Sequence, residues 1–121
     1  MFIEVKCLTR KDYWWGRIGK IEKAITKEVQ GRMEELGLTK EDVKFFFPKD
    51  TSITSNDVQV IIEISVLGSP ALTKEKKDSL AGAAAVAFAF TVGQWRPIKS
   101  PQAYTRTFNR DTEGLFFLKD E

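Results

Sequence analysis

The chain has 121 residues, of which 42% are hydrophobic and 30% charged, and its net charge is +2. This balance is typical of one ordinary globular domain over residues 1–121, and the charge is too weak and mixed for nucleic-acid binding by electrostatics alone. Histidine is absent and Cys7 is the single cysteine, which excludes a Ser-His-Asp triad and an internal disulfide and argues against a zinc site.

The same counts carry expectations about surroundings and partners. A lone cysteine fits a reducing cytoplasm, and we expect Cys7 to be a small buried core residue. The longest apolar stretch, residues 80–92, is too short to span a bilayer as a helix. We therefore expect no metal, no cofactor, no membrane and no nucleic acid as partners.

The first segment alternates between apolar and polar positions, which predicts a strand with one face on a core. Ile3, Val5 and Cys7 would face the core, and Phe2, Glu4, Lys6 and Leu8 the other side. A short loop over residues 9–13 should follow.

The clearest helix in the chain comes next. Its apolar stripe consists of Trp14, Ile18, Ile21, Ile25, Val29, Met33 and Leu36, at spacings of three and four. Gly37 stands where a helix end favours a left-handed residue, so we expect the helix to end there.

Two strands are predicted in the middle of the chain. The first is short and aromatic, from Val43 to Phe47, and Pro48 ends it. The second has Val58, Val60, Ile62, Ile64 and Val66 on one face. Glu63 on its polar face could approach Glu4 if the two strands are neighbours, but both carboxylates could equally be solvated or paired with lysine.

The second helix should begin after an N-cap at Thr73 and run to about Val92. It is apolar nearly all round and rich in alanine, so it should be buried on more than one side. A chain of this size has little material to cover both sides, which predicts that copies of it associate.

After this helix a loop with two prolines leads to a strand from Ala103 to Phe108, and residues 115–118 form an apolar end. Basic and aromatic side chains crowd into this region: Trp95, Arg96, Lys99, Arg106 and Arg110. Arginine binds carboxylates bidentately and tryptophan offers a flat apolar wall, so these residues could hold a small organic acid. Alternatively, Arg106 and Arg110 pair with Asp111 and Glu113, and Trp95 covers the helix end.

The order β-α-β-β-α-β predicts an α+β domain in which two β-α-β halves form a four-stranded sheet with two helices on one face. In this layout the chain resembles the tautomerase superfamily, which includes macrophage migration inhibitory factor and the 4-oxalocrotonate tautomerases. The resembling segments are residues 1–5, the helix end at 35–37, residues 38–43, residues 60–64 with 72–77, and residues 107–116.

The resemblance implies a homotrimer with pockets near the N-terminus at subunit boundaries, and isomerisation of small acids by an amino-terminal proline. Phe2 occupies the position of that proline and cannot act as a base. The α-amine of a retained Met1 is the remaining candidate base, since α-amino groups ordinarily titrate near neutral pH. Phe2 and the basic and aromatic cluster would then contact the substrate, a small carboxylate or keto acid.

Two other hypotheses remain open at this point. The same fold could serve as a non-catalytic oligomeric scaffold or protein-binding module, because the proline is missing. A ferredoxin-like domain has the same element order, and its RNA-recognition members stack bases on aromatic side chains. The run from Phe45 to Phe47 offers aromatics, although the RNP1 pattern is absent.

Overall fold

The computed structural model describes residues 1–48, 60–98 and 101–108 of the chain. The elements in these ranges are β1 (Phe2–Lys6), a short 3₁₀ helix (Arg10–Tyr13), α1 (Arg17–Glu35), β2 (Lys44–Phe46), β3 (Ile61–Leu67), α2 (Lys74–Val92) and β4 (Gln102–Phe108). The predicted α+β class and element order are confirmed. The predicted start of the third strand at Val58 and the apolar end at 115–118 lie outside the described residues.

The strands form one four-stranded sheet in the order β2-β1-β3-β4. β1 is parallel to β2 and β3 is parallel to β4, whereas β1 and β3 are antiparallel. Each β-α-β half therefore pairs its own two strands, and the halves meet along β1 and β3. A ferredoxin-like sheet separates the strands of each β-α-β unit, so that alternative is wrong for this chain.

One face of the sheet and both helices enclose a single apolar core. Its fully buried members include Ile3, Val5, Ile21, Ile25, Val29, Ile62, Ile64, Leu80, Ala84 and Phe88. The stripe of α1 lies on this core because apolar residues at spacings of three and four share one helix face. The opposite face of the sheet carries no helix in the described part of the chain.

The end of β1 differs from the sequence pattern. Cys7 has a φ of 66°, a left-handed conformation that interrupts the alternation of the strand. Cys7 is half-buried, whereas Leu8 is only 1% exposed. The expectation that Cys7 is a core residue is therefore wrong, and Leu8 enters the core in its place.

The start of α1 also differs. The helix begins at Arg17, so Trp14 is not part of its stripe, and the Trp14 side chain is 45% exposed. The segment predicted as a loop is the 3₁₀ helix, which places the Asp12 side chain in the interior. Trp14 lies outside the helical register because Trp15 and Gly16 both have positive φ, at 47° and 70°.

α2 begins as predicted, because the Thr73 hydroxyl accepts a hydrogen bond from the Lys76 amide at 3.3 Å. Its apolar surface is not all covered within one chain. Phe88 is fully buried, but Val86 is 67% and Phe90 74% exposed. The expectation that a further copy covers this side of α2 stays a prediction.

Gly37 ends α1 as the sequence indicates. Its φ is 71°, the Leu38 amide donates to the Met33 carbonyl at 2.9 Å, and the Gly37 amide donates to the Glu34 carbonyl at 3.1 Å. These two bonds form the Schellman motif, in which glycine is favoured because it adopts the left-handed conformation without steric cost.

Gly37→Ala is expected to lower the free energy of unfolding by about 1–2 kcal/mol, the cost of a left-handed conformation with a Cβ atom. Gly31→Ala is the matched control, because Gly31 lies inside α1 and a Cβ atom added at either glycine would meet no other atom within 4 Å. The control should raise stability by about 0.5–1 kcal/mol through helix propensity. Urea unfolding of both variants measures the change in the free energy of unfolding. A change of the same sign in both variants would contradict the conformational argument.

Candidate functional site

A cleft of about 330 Å³ opens at the end of the sheet where the chain begins. Its lining comes from the end of α1 and the turn after it, from the end of β3, and from the start of α2: Met33, Gly37, Leu38, Thr39, Glu41, Val66, Leu67, Gly68, Ser69, Ala71, Leu72 and Leu80. The lining is mainly apolar, and Glu41 is its one charged member among the described residues. A cleft of this size and character can hold a small organic molecule.

The α-amino group of Met1 lies beside this cleft. Its nitrogen is 3.8 Å from Glu41 Oε1 and donates a hydrogen bond to the Asp42 carbonyl at 3.3 Å. The Lys44 amide in turn donates to the Met1 carbonyl at 3.0 Å, which fixes the first residue against β2. The α-amine is thus held as a hydrogen-bond donor next to Glu41, a residue of the cleft lining, although Met1 itself is not part of that lining.

Phe2 and Arg106 lie in one row on the uncovered face of the sheet. In the register of the strands Phe2 is opposite Ser65, and Ser65 is opposite Arg106. The Phe2 ring lies 6.0 Å from that of Phe46 on the neighbouring strand. Arg106 pairs with Glu63, and its side chain is 59% exposed whereas that of Glu63 is 11% exposed.

Glu63 occupies the centre of this face and is only 9% exposed. Its carboxylate accepts hydrogen bonds from the Tyr104 hydroxyl at 2.9 Å, from Arg106 Nη1 at 3.1 Å and from Lys6 Nζ at 3.5 Å. Glu4 is directly opposite Glu63 in the register, as the strand pattern allowed, and Lys6 also lies 3.9 Å from Glu4. The two carboxylates are therefore bridged by lysine, and three donors engage the Glu63 carboxylate in the described surroundings.

The titration of these groups follows from the same contacts. Burial alone would raise the pKa of Glu63, but the hydrogen bonds from Tyr104, Arg106 and Lys6 outweigh it and hold that pKa below its ordinary value. The pKa of Tyr104 is raised by burial and by its bond to Glu63. Glu63 thus stays ionised and Tyr104 stays protonated at neutral pH.

A second charged cluster lies at the other end of the sheet, where α2 ends against the 3₁₀ helix. Asp12 is fully buried and accepts two hydrogen bonds from Arg96, from Nε and Nη2, both at 2.8 Å. Two further donors bind the same carboxylate: Trp95 Nε1 donates to it at 3.3 Å, and the Thr9 amide donates to it at 2.9 Å. Burial alone would raise the pKa of Asp12, but these donors hold it below its ordinary value. The cluster attaches the loop after β1 to the end of α2.

The structure therefore divides the residues that the sequence grouped as one substrate site. Phe2 and Arg106 share a sheet row near the chain start, whereas Trp95 and Arg96 lie at the opposite end and are engaged by Asp12. The bidentate contact with Asp12 uses the fork with which Arg96 would bind a carboxylate, so we assign Arg96 to structural support. Lys99 and Arg110 lie outside the described residues.

Sequence reasoning missed Asp12 and the cleft beside Met1. A signal for Asp12 was present, because Thr9 and Asp12 have the Thr-x-x-Asp spacing with which a side chain caps a helix start. The cleft had no such signal, because its lining comes from three separated stretches of chain. Among the described residues no group of three or more potential metal ligands occurs, and no helix there has the length and apolar character to cross a membrane.

Solved structures with this arrangement of strands and helices are known. A native fused 4-OT matches over 95% of this chain and 92% of its own, with a TM-score of 0.66 and 14% identity. Macrophage migration inhibitory factor of Toxoplasma gondii matches over 97% and 96%, with a TM-score of 0.59 and 16% identity. A member of the cis-3-chloroacrylic acid dehalogenase family matches over 97% and 80%, with a TM-score of 0.61 and 11% identity.

This chain has the tautomerase fold. The predicted resemblance to the tautomerase superfamily is confirmed at the level of the fold, and the matches cover nearly the whole chain. No family model matches the sequence, and a search of the curated proteins found no match. A second fused 4-OT with a TM-score of 0.67 and 13% identity is described as an asymmetric trimer, so this fold assembles as a trimer in at least one neighbour.

Proposed function

We propose that this protein is a homotrimer that binds a small carboxylate or keto acid in the cleft beside the Met1 α-amine. The observation that carries the proposal is the position of that amine, which contacts Glu41 in the cleft lining at 3.8 Å. An ammonium group beside a small, mainly apolar cleft suits a ligand with an acidic end and an apolar body. Phe2 and Arg106, on the adjoining sheet face, are the proposed further contacts.

Assembly is supported by the uncovered face of the sheet. Phe46 is 55%, Leu67 44% and Tyr104 40% exposed there, so one chain leaves large apolar side chains in water. Large apolar side chains exposed together on one face are typical of a surface that pairs with another protein surface. The fused 4-OT described as a trimer has the same fold, which supports three copies as the assembly.

Any isomerisation in this site would use the Met1 α-amine as the group that moves a proton, because no proline occurs before Pro48. Its two described contacts, with Glu41 and the Asp42 carbonyl, both use the amine as a donor. That arrangement serves ligand binding directly and proton abstraction only when the amine is neutral. We therefore propose carboxylate binding as the primary role and isomerase activity as weak and dependent on this amine.

The test combines native mass spectrometry of the intact protein with calorimetric titration of phenylpyruvate. We expect a trimer that retains Met1 with a free α-amine and binds phenylpyruvate. Acetylation of the α-amine should weaken binding at least about tenfold, since a charge-assisted hydrogen bond contributes about 1.5–3 kcal/mol.

Ala71→Trp tests the cleft itself, because Ala71 lines it and is exposed, so the larger ring should fill the cleft without disturbing the core. Thr26→Trp, on the outer side of α1, is the matched control and should bind like the wild type. A monomer with unchanged phenylpyruvate binding after both acetylation and Ala71→Trp would refute the proposal.

A further inference from the structure

Trp15 is the most exposed large hydrophobic side chain in the described part of the chain, at 82%. It stands in a turn with Trp14, which is 45% exposed, and their rings meet edge to face at 5.5 Å. Trp15 also has a φ of 47°, a left-handed conformation that is costly for a bulky side chain, and Gly16 follows with a φ of 70°. The fold thus holds an indole in a strained position where one chain gives it little cover.

This turn is held firmly. The Trp14 amide donates to the Lys11 carbonyl at 3.1 Å and the Arg17 amide donates to the Trp14 carbonyl at 2.9 Å. The Arg17 guanidinium lies over the Trp95 ring at 4.9 Å and over the Trp15 ring at 5.8 Å. Trp95 is in turn bonded to the buried Asp12. A rigid, exposed aromatic side chain is preorganised for contact with another surface, because little ordering entropy is lost on binding.

The charges around the turn and around the cleft are complementary. The cations Arg10, Lys11, Arg17 and Lys20 surround the turn, and Asp12, its nearby acid, is buried and bound. The cleft has Glu41 as the one charged residue of its lining among the described residues. Glu41 contacts the Met1 amine but its side chain remains 39% exposed, so this apolar cleft can still receive an exposed indole with a basic rim.

The two surfaces lie at opposite ends of α1. The turn immediately precedes Arg17, and the cleft is lined by Met33 and Gly37 at the other end of this 19-residue helix. A helix of that length spans roughly 28 Å, so the turn cannot reach the cleft of its own chain. A contact between unlike surfaces of identical copies is heterologous, and such contacts form a ring when the rotation between copies closes, as it would in a trimer.

We propose that Trp15 of a neighbouring copy covers the cleft beside Met1 and forms its outer wall. The inference rests on the proposed trimer and deepens it, because the site is incomplete in one chain. In a single chain, the cation beside the cleft that is proposed to bind an incoming carboxylate is the Met1 amine, and Glu41 already contacts that amine. The basic rim of the neighbouring turn adds positive charge at the same opening, and the indole favours ligands with a flat apolar body over shorter ones.

Photo-crosslinking tests this contact in the full-length protein. Trp15 is replaced by benzoylphenylalanine, an aromatic residue that its exposed position accommodates, and crosslinked peptides are identified by mass spectrometry. We expect crosslinks between chains that map to residues 33–41 or 66–80. The same crosslinker at Phe90, which is 74% exposed on α2, is the control and should not reach these residues.

Trp15→Ala gives a second readout. It should raise the concentration at which the trimer dissociates by about 30-fold, as expected for an interface tryptophan. It should also weaken the binding of phenylpyruvate more than the binding of pyruvate. A trimer that binds phenylpyruvate but crosslinks from position 15 to other surfaces would overturn the inference and leave the proposed function standing. A monomer that neither crosslinks between chains nor binds phenylpyruvate would overturn both.

Discussion

Asp12→Asn is expected to lower the free energy of unfolding by about 3–5 kcal/mol, the usual result of removing one partner from a buried ion pair. Asp12 is fully buried and the Arg96 side chain is 9% exposed, so the guanidinium would keep its charge with little access to water. The amide group of asparagine would also direct a donor toward groups that already donate. Total stabilities of small domains are about 5–15 kcal/mol, so this loss is a large fraction of the whole.

Asp78→Asn is the matched control for this substitution. Asp78 pairs with Lys74 at 2.9 Å, but its side chain is 67% exposed, and solvated pairs of this kind contribute little. Urea unfolding at a fixed protein concentration should show a change below about 0.5 kcal/mol for the control. A loss of similar size in both variants would mean that burial does not decide the effect.

Acid sensitivity provides an independent measurement of the same pair. The pKa of Asp12 is lower in the folded protein than in the unfolded chain, whose aspartates titrate at about pH 3.9. The stability that Asp12 contributes is therefore present above that pH and is lost as the pH falls through the folded pKa. Glu63, whose pKa is also lowered, contributes in the same direction in both proteins. The wild type should lose more stability than Asp12→Asn between pH 5 and the acid limit, and parallel curves would contradict this assignment.

Phe88→Ala should have an effect of similar size for a different reason. Phe88 is fully buried on the side of α2 that faces the sheet, and removing a buried phenylalanine costs about 3–5 kcal/mol through lost transfer energy and the cavity that remains. Phe90→Ala is the matched control, because Phe90 is on the same helix and is 74% exposed. Its effect on stability should stay within about 0.5 kcal/mol.

The comparison is made by urea unfolding at one protein concentration, low enough that copies of the chain do not associate. The expected result is a lower midpoint for Phe88→Ala and an unchanged midpoint for Phe90→Ala, with the same slope in both. Equal losses under these conditions would show that Phe90 is buried within the single chain. Such a result would contradict the assignment of the two phenylalanines from the single chain.

Much of the fold was predictable because local patterns and the global structure agree. The spacing of Ile21, Ile25 and Val29 indicated the buried side of α1, and Gly37 indicated its end. Alternation in β3 indicated which of its residues face the core. These signals are local, since a helix stripe and a strand face are fixed by backbone periods of 3.6 and 2.

The local patterns failed where the backbone leaves its regular period. A left-handed Cys7 exchanges the environments of Cys7 and Leu8, and left-handed Trp15 and Gly16 separate Trp14 from the helix. Positive φ in a non-glycine residue is rare and is stabilised by surrounding contacts, so a pattern of residue types does not reveal it.

By itself, the sequence determined the fold class and the order of elements, because both depend on residue type and spacing along the chain. Only the tertiary structure decided the strand order, the pairing of Asp12 with Arg96 and the cleft beside Met1. In each of these, the interacting groups come from distant parts of the chain: Asp12 and Arg96 are 84 positions apart. Nearness of that kind arises from how packed elements meet, and neither composition nor periodicity specifies it.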